Sequence, residues 1–145
     1  MRWREPHTES LILHSEFPRV LPELLSGVPL DARLLVVTDS MLALPIELYS
    51  APRPTRVLCA WPELRARGLG PFVRFLTELR RDQLERQQRR FTPERFRREL
   101  AQATHLLLLN AAPRDYEAPE LELVPVRAIG ASEKPAARLF AVVRR

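Results

Sequence analysis

The sequence predicts an α/β domain: a three-layer α/β/α sandwich on a mainly parallel sheet, closed by an antiparallel C-terminal hairpin. Three observations predict it. Short apolar runs of strand length alternate with stretches of helical period, the pattern of strands joined by crossover helices. The clearest strand run, Ala32 to Thr38, is continuously apolar between Arg33 and Thr38, as a strand covered on both faces should be. A length of 145 residues with 46% hydrophobic content suits a single domain, residues 1–145, with its own core.

Taken in order, Ser10 to Ser15 (SLILHS) reads as a short buried strand. Glu16 to Ser26 has helical spacing in Phe17, Val20, Leu21, Leu24 and Leu25, with Pro18 in the first turn and Gly27 past the end, although Pro22 removes one internal hydrogen bond. Ala32 to Thr38 (ARLLVVT) is the clearest strand. Asp39 and Ser40 follow it as candidate caps of a short helix through Met41, Leu42 and Leu44, which Pro45 is expected to end or kink. After the stiff Ala51-Pro52-Arg53-Pro54 connector, Arg56 to Trp61 reads as a third strand. Pro62 opens a turn or short helix that Gly68 and Gly70 terminate.

A long helical stretch spans Pro71 to Ala103. Its apolar stripe of Phe72, Phe75, Leu76 and Leu79 fails after Arg80, where Leu84 is the only apolar residue up to Arg90. Thr92-Pro93-Glu94 reads as a fresh helix start, with Phe96, Leu100 and Ala103 as its core face. His105 to Asn110 is a fourth strand, and Leu121 to Ile129 and Arg138 to Val143 form the hairpin.

Composition narrows the function. Cys59 is the only cysteine, so no intrachain disulfide can form. The opening MRWREPHTES has no apolar signal core, and no apolar run approaches the roughly 18–20 residues of a membrane span. A cytoplasmic protein with no membrane partner is the expectation. His7, His14, His105 and Cys59 lack metal-site spacing, so no metal or other cofactor is expected.

The order of elements after Thr104 resembles that of Rossmann-like methyltransferase domains, whose last strands also form a hairpin at the sheet edge. The resemblance implies a small, degenerate methyltransferase-like enzyme with its site at the strand carboxyl ends. The chain departs from that family in its first loop, since its only glycines are Gly27, Gly68, Gly70 and Gly130, and in lacking room for a helix between Asn110 and Leu121.

Two constellations are candidates for function. If the first four strands are parallel, their carboxyl ends gather His14, Ser15, Glu16, Thr38, Asp39, Ser40, Trp61 and Asn110. His14, Asp39 and Asn110 are then candidates for acid–base work, although Asp39 and Asn110 also suit a helix cap and a turn. Cys59, mid-strand beside Val57 and Trp61, reads as a small buried hydrophobe.

The second constellation is a basic helical arm at about 71–103, expected to project from the sheet. Between Arg65 and Arg98 eleven arginines face Glu78, Asp82, Glu85 and Glu94, a surplus of seven in a chain whose net charge is +5. The whole net basicity lies in this segment. Pairs at i, i+4 (Asp82–Arg86, Arg81–Glu85, Glu85–Arg89) account for part of the charge as a solvated face. The remainder suits a contact surface. The expected function is therefore an accessory or binding protein whose Arg80, Arg81, Arg86, Arg89 and Arg90 contact nucleic acid or an acidic protein partner. An enzyme is the alternative, and a homo-oligomeric structural subunit is a third reading.

Overall fold

The computed structural model describes residues 16–38, 43–60, 71–110, 120–130 and 135–145. The expected strand at 10–15 and the Pro62 turn lie outside them. Helix α1 (Phe17–Leu24) buries Phe17, Val20, Leu21 and Leu24 on one face. Pro22 is accommodated because this packing outweighs one lost bond in an eight-residue helix. Strand β1 (Leu34–Thr38) is buried throughout. Helix α2 (Ala43–Ser50) runs across Pro45 instead of stopping there. The proline occupies the first turn, where backbone N–H groups have no helical partner to lose.

Strand β2 (Thr55–Cys59) follows, then α3 (Pro71–Arg86), α4 (Pro93–Leu100) and β3 (His105–Leu109). Thr92 caps α4 as expected: its side chain accepts from the Arg95 N–H at 3.1 Å, and Pro93 stands in the first turn. Strands β4 (Leu121–Gly130) and β5 (Pro135–Arg144) complete the chain.

Among the described residues the strands form one five-stranded sheet in the order β2-β1-β3-β5-β4. β1 pairs in parallel with β2 and β3, whereas β5 pairs antiparallel with β3 and β4. The sheet is thus mixed, with two ladders of each kind, which corrects the expectation of a mainly parallel one. The hairpin is present, but its second strand is interior. β5 offers apolar residues to both faces, Ala137 and Leu139 on one and Phe140 and Val142 on the other. β4 is exposed from Val124 to Ala128, which suits an edge.

Two apolar clusters hold the sheet. Leu34, Val36, Val57, Cys59, Leu107, Leu109, Ala137 and Leu139 pack with α1, Ile46 of α2 and Leu84 of α3. Leu35, Val37, Leu58, Leu106 and Leu108 pack with Phe96 and Leu100 of α4.

Candidate functional site

Of the three acid–base candidates, only Asn110 lies among the described residues; His14 and Asp39 lie outside them, as do Ser15, Ser40 and Trp61. Asn110 ends β3 in the left-handed region at φ 56°, a conformation asparagine tolerates, and its N–H donates to the Ala136 carbonyl at 2.7 Å. Thr38 is fully buried at the end of β1. Glu16 precedes α1 and pairs with Arg19 at 3.0 Å. Cys59 is fully buried beside Val57, the small-hydrophobe role its position suggests. Among the described residues no cluster of His, Cys, Asp or Glu is arranged to hold a metal, and no helix is long and apolar enough to cross a membrane.

The arginine-rich segment is anchored by the one apolar residue of its polar half. Leu84 is buried in the core. The chain then turns through Gln88, at φ 56°, and residues 89–91 run beside the end of β2. The Cys59 N–H donates to the Arg89 carbonyl at 2.6 Å, and the Phe91 N–H to the Cys59 carbonyl at 2.9 Å. The sequence carries no signal for this pairing, because RRF has no strand pattern of its own.

The arginines of the segment divide into two groups. Arg81 pairs with Glu78 at 2.8 Å, and Arg89 reaches Glu47 on α2. Arg90 and Arg95 share Glu85, at 3.5 and 2.6 Å. The hydrogen bond from Arg95 holds the Glu85 carboxyl below its ordinary value against the opposing effect of burial, and the Arg95 charge and the hydrogen bond and charge of Arg90 add to the lowering. Glu85 therefore works through partners five and ten residues away, where helical spacing alone suggested Arg81 and Arg89. Arg86, Arg97 and Arg98, by contrast, are exposed, and their side chains have no ion pair or hydrogen bond among the described residues. Arg80 lies in α3, but its side chain is outside what is described.

Two further arginines hold the carboxyl end of α1 and the turn that follows it. Arg127 on β4 donates to the carbonyls of Glu23, Leu24 and Ser26 at 2.6, 3.3 and 3.1 Å. Arg53 donates to those of Leu25 and Val28 at 3.2 and 3.0 Å. The last carbonyls of a helix lack internal partners and carry partial negative charge, so guanidinium groups suit them.

At the opposite, amino-terminal ends of β1 and β2 lies an open cleft of about 190 Å³. It is lined by Arg33, Leu35, Pro54, Arg56, Glu99, Gln102 and Ala103, among others. Nearby, the Thr104 hydroxyl accepts from the Arg33 N–H at 2.9 Å and lies 2.9 Å from His105 Nδ1. Partial burial, and then the Arg53 charge, lower the His105 pKa. Sequence reasoning missed this cleft because it looked for ligands only at the carboxyl ends of the strands.

No protein-family model matches the chain, and no curated protein or solved structure proved similar to it.

Proposed function

We propose that this chain is a binding protein that takes the phosphate backbone of a nucleic acid on the surface where α3 meets α4. In this reading the domain is a three-layer α/β/α sandwich, and the segment at about 71–103 is its basic arm, held at its turn against β2. The observation that carries the reading is the set Arg86, Arg97 and Arg98. All three are exposed without an ion partner among the described residues, and each lies within three residues of the Glu85–Arg95 bridge. They belong to the stretch between Arg65 and Arg98, which holds the whole positive surplus of the chain. Arg81, Arg89 and Arg90 would each have to leave a carboxylate to take a phosphate, so they are secondary contacts.

The test is the salt dependence of binding to duplex DNA. Neutralising phosphates releases counterions, so the log–log slope counts the contacts at roughly 0.9 each. Replacing Arg86, Arg97 and Arg98 together with glutamine keeps good helix formers. It should leave the circular dichroism unchanged and reduce the slope by about two to three units. A folded triple variant with an undiminished slope overturns the reading. A wild-type chain that holds an acidic polypeptide but not the duplex moves it to the acidic-protein class.

A further inference from the structure

The cleft at the amino-terminal ends of β1 and β2 is built differently from the arginine surface. Alternation sets Arg33 on the face of Leu35 and Val37, and Arg56 on the face of Leu58, the face that packs against α4. The last turn of α4 and the residues after it supply Glu99, Gln102 and Ala103 as the facing wall. The Arg33 backbone is pinned: its N–H donates to the Thr104 hydroxyl, and its carbonyl accepts from the N–H groups of Thr104 and His105. Its side chain is exposed and has no partner among the described residues, and neither does the side chain of Gln102. Arg56 is steadied from behind by the Gln88 carbonyl and by Glu99, whose carboxylate lies 3.6 Å from its Nε. The negative end of α4, which would repel an anion, is already engaged, because Arg144 donates to the Ala101 carbonyl.

We propose that this cleft binds a small monocarboxylate with a short apolar chain. The carboxylate lies between the Arg33 and Arg56 guanidinium groups, with the Gln102 amide as a further donor, and the chain lies over Leu35, Pro54 and Ala103. Two guanidinium groups against one Glu99 carboxylate leave a single positive charge, which matches a monoanion and disfavours a doubly charged one. The volume of about 190 Å³ is below the roughly 300–1,000 Å³ of drug-sized sites and suits a ligand of a few heavy atoms. The site does not rest on the nucleic-acid reading, since neither Arg33 nor Gln102 enters it.

The experiment is an amide-resolved NMR titration with butyrate. Butyramide serves as the uncharged isostere and inorganic phosphate as the anion without a chain. Saturable shifts at Leu34, Leu35, Gln102 and Ala103 are expected with butyrate. Arg33→Gln should weaken them about tenfold, and butyramide should do the same, because the charge-assisted bonds are lost. Gln102→Leu, on a second element, should weaken them about fivefold. Shifts that never saturate, butyrate affinity unchanged in folded Arg33→Gln and Gln102→Leu, or phosphate binding as tightly as butyrate would each overturn the proposal.

Discussion

Replacing Arg127 with alanine tests whether the arginines of this chain hold its architecture as well as its charge. The guanidinium group contacts three carbonyls at the carboxyl end of α1, at 2.6, 3.3 and 3.1 Å. Two of those bonds are exposed, so water replaces the lost donor there at little cost. The Leu24 bond is part-buried, and its carbonyl is less well compensated. Adding the favourable placement of a cation at a helix carboxyl end, the expected loss is about 1–2 kcal/mol. That corresponds to a fall of roughly 3–6 °C in Tm for a domain of this length. Urea denaturation should show a lower midpoint at unchanged m-value. Arg127→Lys should restore about half of the loss, since an ammonium keeps the charge but cannot spread over three acceptors as a planar fork does. An Arg127→Ala midpoint within about 0.5 kcal/mol of wild type, the range of ordinary surface changes, would refute the reasoning.

Leu84→Ala should cost about 2–5 kcal/mol, because it empties the buried contact that anchors the end of α3; a urea midpoint near wild type would show that α3 is held by other means. Glu85 governs part of the acid limb. Its folded pKa is depressed, so its contribution is fully present above the ordinary value of 4.5 and is lost as pH falls through the lower folded value. The contribution is small because the Glu85 side chain is 46% exposed. Urea midpoints followed from about pH 6 to about pH 3 should therefore fall less steeply for Glu85→Gln than for wild type, and parallel curves would contradict the assignment.

β1 and β3 are readable because each is a local apolar run, and β4 because its apolar residues are bounded by turn residues. The expected 32–38, 105–110 and 121–129 strands correspond to Leu34–Thr38, His105–Leu109 and Leu121–Gly130. The fresh start at Thr92 was readable because cap chemistry is equally local. What could not be read is non-local. Nothing in RRF marks residues 89–91 as neighbours of β2, and nothing near Arg127 marks it as the partner of a helix about a hundred residues away. The same applies to the site. Charge surplus located the arginine segment, but only the fold separates Arg89, held by Glu47, from Arg86, exposed one turn earlier. The proposed acid–base cluster remains represented by Asn110 alone.

The two edges of the described sheet discourage further pairing in different ways. Residues 89–91 cover the end of β2. At β4 the Arg145 N–H donates to the Glu120 carbonyl while Leu121 faces Arg144, which makes that pair a non-hydrogen-bonded one. Two-residue steps then place Pro125, opposite Phe140, with its nitrogen toward the open side, where a proline removes a donor that another strand could use.

The interior position of β5 sets an order of assembly. β5 is downstream of every other described strand, yet it sits between β3 and β4 and supplies their only connection among the described strands. Until residues 135–144 arrive, β3 carries a bare edge along His105 and four consecutive leucines, and β4 has no neighbour among the described strands. Damage at this end of the chain therefore does not trim the sheet. It divides the sheet in two and uncovers a pairing surface that the finished protein never shows.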